Sequence, residues 1–317
     1  MLLRFVTALL LVSAISSDAA AQRLTIEGDR FAVDGTPRFL TFISMFGAMD
    51  APDIDADLRT IGELGFDGFR IWPNLYGRLF NGDGSVEPKG LARLKAVLES
   101  SRREQLIADV TFTYEHTRGL TPAEVERGIV VVAEALRAFD NVLFDIQNER
   151  NVPDRRHMPE QEVANILTAI RSVDRDRVVV ASNSPLDSPA YAASFTERLG
   201  LDATAYHEPR IRAWYTLTTL KAVVHAMKAN GRPAYLQEPT RTGHERDRNA
   251  SRDRAEFFIE ARANARRAGA AAWCFHTDVA LDYRSGPALL DVRLRQRAQP
   301  EWAFVNALRA EVDLAVR

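Results

Sequence analysis

The chain is expected to fold as one (β/α)8 barrel, an α/β architecture, with an N-terminal β-hairpin ahead of it. Eight short apolar runs each give way to a longer amphipathic pattern, the local signature of strand–helix units. Those units fill about 275 residues, close to the ~250 typical of such barrels. No Gly-rich phosphate turn follows the first strand of the series, which runs instead into Phe46-Gly47-Ala48-Met49-Asp50. A doubly wound open sheet, built from the same local units, is therefore the weaker reading.

Taken in order, the chain opens with Met1-Leu2-Leu3-Arg4, an apolar run from Phe5 to Ile15 and a small-residue end at Ala19-Ala20-Ala21. One positive charge, a short apolar core and an A-x-A-like end are the parts of an export signal. The run is too short to cross a bilayer, which takes roughly 20 apolar residues. Residues 1–21 are expected to be a signal peptide and residues 22–317 one barrel domain, secreted or periplasmic. Arg23 to Leu40 alternates around Asp34-Gly35, a strong hairpin signal, suited to closing the barrel floor.

Barrel strands are then expected near residues 39–44, 66–71, 106–112, 142–147, 177–181, 203–206, 234–237 and 271–275. Helices are expected after each, near 54–64, 91–103, 122–139, 159–172, 189–199, 213–229, 253–268 and 301–314. Val163, Ile166, Leu167 and Ile170 keep the i, i+3, i+4, i+7 spacing of one buried stripe. Thr121-Pro122-Ala123-Glu124 has the form of a capping box with proline at the first helical position.

The formal net charge of −2 argues against nucleic acid as a main partner. Cys274 is the only cysteine, which excludes an internal disulfide and any Cys-cluster metal site. Stability must then come from the core, and a chain of this length can bury one. No cysteine after the export-like segment offers a lipid attachment point, and no later stretch is apolar enough to span a membrane, so no membrane anchoring is expected.

Sites on such barrels lie at the C-terminal ends of the strands. The second expected strand ends in Arg70-Ile71-Trp72, the third leads into Tyr114-Glu115-His116, and the fourth ends in Asn148-Glu149. The sixth ends in Tyr206-His207, the seventh in Gln237-Glu238 and the eighth in Trp273-Cys274-Phe275-His276. Two carboxylates on opposing strands are what glycoside hydrolysis needs, one to protonate the leaving oxygen and one to attack or to activate water. Their surroundings must push the two pKa values apart. Arg70 is suited to holding Glu238 anionic, Asn148 to binding the hydroxyl next to the reacting carbon, and His207 with Trp273 to offering a hydrogen-bonding edge and an apolar floor.

Arg70, Asn148-Glu149, His207, Glu238 and Trp273, in this order on these strands, resemble the site pattern of clan A glycoside hydrolases, closest to the cellulase-like glycoside hydrolase family 5. The opening RFAVDGTPRFL is similar to the start of those domains, so the resemblance covers essentially the whole chain after residue 21. It implies a retaining O-glycosyl hydrolase with Glu149 as acid/base and Glu238 as nucleophile, acting on a β-linked glycan or glycoside without cofactor or metal. The chain departs from the family at two positions. Thr111 stands near the place of a strand-three histidine, and Pro209 stands where a tyrosine usually touches the nucleophile. A carbohydrate-binding barrel without turnover and a metal-dependent barrel hydrolase therefore stay open as alternatives; no ligand-like spacing among His116, His207 and His276 favours the latter.

Trp72, Tyr76, Tyr114, Trp214 and Tyr215 are each suited either to stacking on sugar or to packing. Cys274 is expected to face the helical layer. Arginines are dense from Arg155-Arg156 through Arg210, Arg212 and Arg241 to Arg252, interspersed with Asp154, Glu208, Glu245, Asp247 and Asp253. That mixture favours a self-paired, solvated loop surface over an acidic-glycan site.

Overall fold

Strands that are apolar on both faces must be covered on both, and the computed structural model covers them with a ring of helices outside and packed side chains within. It describes residues 22–112, 120–208, 210–242 and 254–316. The export-like segment, Tyr114, Glu115, His116, Pro209 and the arginine-rich stretch 243–253 lie outside the described residues.

An antiparallel sheet of three strands comes first: β1 (Leu24–Glu27), β2 (Arg30–Val33) and β3 (Thr36–Arg38). Asp34 and Gly35 turn β2 into β3 with φ of 53° and 73°, the paired positive φ that Asp-Gly tolerates in a type I′ turn. The expected hairpin thus gains one further strand. Eight parallel strands follow: β4 (Leu40–Ser44), β5 (Gly68–Ile71), β6 (Ile107–Thr111), β7 (Val142–Asp145), β8 (Val178–Val180), β9 (Thr204–Tyr206), β10 (Ala234–Leu236) and β11 (Ala272–Phe275). Their order is β8-β7-β6-β5-β4-β11-β10-β9, and a parallel bridge between Asn183 and Tyr206 joins the two ends. The result is a nearly closed (β/α)8 barrel.

The helices are α1 (Ile54–Glu63), α2 (Pro88–Arg103), α3 (Pro122–Ala135), α4 (Glu160–Val173), α5 (Pro189–Leu199), α6 (Leu217–Met227), α7 (Ala255–Ala268), α8 (Leu290–Gln296) and α9 (Ala303–Val316). The short α8 carries no extended apolar stripe, which is why no periodic signal announces it. The Thr121 capping box forms as expected, with the Glu124 carboxylate accepting from the Thr121 amide at 2.7 Å. No described helix is long and apolar enough to cross a membrane.

Period-two alternation sorts the strand residues. Phe69, Val110, Phe144, Val179, Leu236 and Phe275 pack outward against helices. Leu40, Phe42, Ile107, Leu143, Val180, Ala205, Tyr235 and Cys274 fill the lower barrel together with Phe31 of β2. The Phe31 ring stands edge-on to Tyr235 at 6.1 Å, so the antiparallel sheet closes the floor. Gly68 is required where β5 meets β6, because a Cβ there would lie 2.2 Å from the Ile107 carbonyl oxygen.

Two expectations on β11 are corrected. Cys274 faces the barrel interior beside Phe42 and Tyr235, not the helical layer. Trp273, one residue earlier, points the opposite way; it is fully buried against Phe275 and Phe304 of α9 and does not form a floor for sugar.

Candidate active site

The interior positions just above the apolar floor are polar. Register pairs Arg70 on β5 with Asp109 on β6, and Thr111 on β6 with Asp145 on β7. Arg70 donates from Nε to Thr111 Oγ1 at 2.9 Å, from Nη2 to Asn148 Oδ1 at 2.7 Å and from Nη1 to Glu238 Oε2 at 2.8 Å. Burial works against this guanidinium's charge, but Glu238, Asp109 and Asp145 outweigh it and raise its pKa. Below Arg70, Asp109 accepts from the Tyr235 hydroxyl and from Gln237 Nε2, both at 2.9 Å, and Gln237 Nε2 also reaches Asp145 at 3.0 Å. Burial raises both aspartic acids, Asp145 to about 6 even with Arg70 beside it. This fully buried network fixes Arg70, and Arg70 in turn fixes Glu238 and Asn148.

Glu149 and Glu238 stand on the rim, at the ends of β7 and β10. Glu149 has φ of 49°, a left-handed conformation rare for a side chain of its size, and such strain persists where surroundings over-determine it. Here its amide donates to Ser182 Oγ at 3.0 Å and the Arg150 amide donates to the Ser182 carbonyl at 3.1 Å. His207 at the end of β9 lies between the two acids, with Nδ1 3.1 Å from Glu149 Oε1 and 3.7 Å from Glu238 Oε2. One oxygen of each glutamate and a His207 nitrogen all fall within 4.8 Å of one another.

Burial pushes the Glu238 carboxyl up, but neighbouring positive charge overcomes it and holds the group well below the usual range. His276 Nε2 and Arg210 Nη2 each lie 3.4 Å from Glu238 Oε1. The charges that lower Glu238 are those of His207, His276, Arg70 and Arg210, in that order, and burial pushes His276 itself well below the ordinary histidine value. Glu208, next to His207, is buried with no hydrogen-bond partner for either oxygen among the described residues, and burial pushes its carboxyl up to about 8.

Glu149, His207 and Glu238 have the donor atoms of a divalent-metal site. The site disfavours a cation, however, because Arg70 and Arg210 contact Glu238 while Arg156 contacts Glu149.

Arg70, Asn148, Glu149, His207 and Glu238 are thus brought together, and Trp273 is not. The open cleft above them, of about 490 Å³, is lined by Trp72, Asn148, Glu149, Arg156, Leu186, Arg210, Glu238 and Arg241, among others. That size lies within the roughly 300–1,000 Å³ of ligand sites. Of the other aromatic candidates, Trp214 packs on Phe258 and Tyr215 on Phe257. The contacts of Arg210 with Glu238 and of Arg156 with Glu149 were not legible, because loop paths decide them, and that of His276 was not, because the register of β11 decides which way it points. Asp109 and Asp145 had a signal: each is an acid inside an otherwise apolar strand.

Neither a family model nor a curated protein sequence matches the chain. Solved structures do. A glycoside hydrolase family 5 structure from Bacteroides vulgatus superposes with a TM-score of 0.65 at 14% identity, covering 82% of this chain. The fold is that of the family 5 glycoside hydrolases. This chain spans 63% of the length of that structure. The catalytic domain of the Thermobifida fusca endoglucanase superposes at a TM-score of 0.59 and 16% identity, over 92% of this chain and 97% of its own. The β-mannanase of the blue mussel Mytilus edulis does so at 0.54 and 15%, over 89% and 98%.

Proposed function

We propose that the protein is a retaining O-glycosyl hydrolase acting on a β-linked glycan or glycoside, with Glu238 as nucleophile and Glu149 as acid/base. The observation that carries the reading is the separation of the two carboxylates, oxygen to oxygen within 4.8 Å at the C-terminal rim of the barrel. Retaining enzymes hold the pair about 5–5.5 Å apart, whereas inverting ones leave about 6.5–9.5 Å for a water. The endoglucanase and β-mannanase folds support the same class.

In the first step a Glu238 oxygen attacks the anomeric carbon, the glycosidic C–O bond breaks, and the Glu149 proton passes to the departing oxygen. In the second, a water oxygen attacks the same carbon and gives its proton to Glu149. The ester bond to Glu238 breaks and its carboxylate is restored. Arg70 keeps Glu238 ionised for the first step. Because Asn148 Oδ1 already accepts from Arg70, the amide nitrogen of Asn148 is the end left to donate to the neighbouring sugar hydroxyl. Residues 1–21 direct export in this reading, so the mature N-terminus, determined on the exported protein, should be Gln22.

Aryl β-glycosides and a polysaccharide panel test the proposal. Glu238→Gln should abolish turnover, and Glu149→Gln should lower it by about 10²–10⁴-fold, with circular dichroism unchanged. A 2-fluoro glycoside should leave its sugar covalently on Glu238. Parent-like rates in both variants would refute the assignment. The metal-donor geometry of Glu149, His207 and Glu238 motivates one further arm: activity lost with a chelator and restored by a divalent ion would favour a metal-dependent hydrolase instead.

A further inference from the structure

We infer that the substrate is anionic, a β-linked glycan whose sugar next to the cleaved bond carries a carboxylate or a sulfate. The inference rests on the glycosidase reading and deepens it. Three guanidiniums reach the cleft from three different loops: Arg156 after β7, Arg210 after β9 and Arg241 after β10. Arg156 contacts Glu149 and also Asp154, the latter at 2.7 Å. Arg210 lies 3.4 Å from Glu238, and Arg241 Nη1 lies 3.0 Å from Asp278.

Among the described residues lining the cleft, the acids are Glu149 and Glu238 alone. To react, Glu149 must leave Arg156 to meet the glycosidic oxygen, and Glu238 must free from Arg210 the oxygen that attacks the anomeric carbon while Arg70 keeps the other. A neutral sugar would draw the guanidiniums of Arg156 and Arg210 away from these carboxylates and offer hydroxyls in return. A carboxylate or sulfate offers two oxygens that match the guanidinium fork, in a charge-assisted contact. Once Glu149 holds its proton, Glu238 and the Asp278 that pairs with Arg241 face three guanidiniums, and an anionic sugar reduces that imbalance. Asp154 does not remove it, because its side chain is 47% exposed and water screens such pairs.

Two further features agree. Arg241 Nε is buried with no hydrogen-bond partner among the described residues, a donor that a ligand oxygen would satisfy. Trp72, stacked on Phe46 at 4.0 Å, is the single aromatic among the described lining residues, so the cleft offers charge more than sugar-stacking faces.

The test compares kcat/KM of the full chain on p-nitrophenyl β-glucuronide, the 6-sulfated β-glucoside, and the neutral β-glucoside and β-mannoside. An anionic glycoside should lead by about tenfold or more, the size of one charge-assisted hydrogen bond. Arg241→Gln and raised ionic strength should each cut that ratio. Because both substrates are read on one preparation, partial misfolding of the variant cancels. The carboxylate and sulfate arms identify the group. Neutral glycosides turned over as well or better, with Glu238→Gln abolishing that turnover, overturns this inference and leaves the glycosidase reading standing. An anionic preference that neither Arg241→Gln nor salt reduces overturns the role given to these arginines. Hydrolysis of none of the four glycosides, nor of any polysaccharide in the panel, overturns both.

Discussion

Arg70 is the residue on which the polar end of the barrel depends, because one guanidinium serves Thr111, Asn148 and Glu238 while lying beside Asp109 and Asp145. Removing one partner of a buried charge network strands the others, at a cost of about 3–5 kcal/mol. Arg70→Met should therefore lower the unfolding free energy by that amount in urea titrations. Arg70→Lys should recover little of it, since an ammonium lacks the fork. Glu208 makes the opposite kind of prediction. Its folded value of about 8, against an ordinary 4.5, arises from burial, so between those pH values the folded form holds a proton that the unfolded chain has released. Its contribution to stability is therefore lost as pH rises from about 4.5 to about 8, at up to ~1.4 kcal/mol per unit. Glu208→Gln lacks this slope and should gain on the parent between pH 5 and pH 8; parallel stability curves would refute it. Arg70, Asn148, Glu149, His207 and Glu238 were legible because each ends a strand, and strand ends converge in a barrel. Arg156 and Arg210 were legible as residue types, but their contacts depend on loop paths that carry no periodic signal.

Strand β11 marks the limit of that legibility at the level of elements. Alternation separates Trp273 from Cys274, yet it does not say which of them faces inward; register against β4 and β10 decides, and a one-residue slip exchanges the faces. With Trp273 level with Thr41 and Leu236, the tryptophan joins the helix-facing core and His276 shares the interior parity of Cys274. Two substitutions separate the tryptophans. Trp273→Ala removes a fully buried ring and should cost about 3–5 kcal/mol, with KM of the folded enzyme unchanged. Trp72→Ala, in the cleft lining, should raise KM and leave the melting temperature within a few degrees. The strands and long helices were readable because each buries a stripe or a face. The α8 helix was not, because seven residues are too few for a stripe to repeat.

Across the whole barrel, closure is uneven, and the candidate site straddles the weakest join. β5 and β6 pair over four register positions, whereas β8 and β9 meet through one bridge, Asn183 with Tyr206. The backbone bonds there are the Asn183 amide to the Ala205 carbonyl at 3.2 Å, the His207 amide to the Asn183 carbonyl at 2.9 Å, and the Asp202 amide to the Val179 carbonyl at 2.9 Å. His207, whose ring lies between Glu149 and Glu238, is thus anchored by its own backbone to that seam. Local opening follows the least supported backbone hydrogen bonds, so the amides of Asn183 and His207 should exchange with deuterium faster than those of β6. Opening the seam also lets β7 and β10, which carry the two glutamates, move apart on opposite sides of it. A sugar held covalently on Glu238 and hydrogen-bonded to Asn148 would tie those sides together across the rim. Trapping with a 2-fluoro glycoside should therefore slow exchange at Asn183 and His207 while leaving β6 unchanged. Equal rates at the seam and in β6, or a seam indifferent to the trapped sugar, would mean that the barrel opens as a unit and that the site gains nothing from its position.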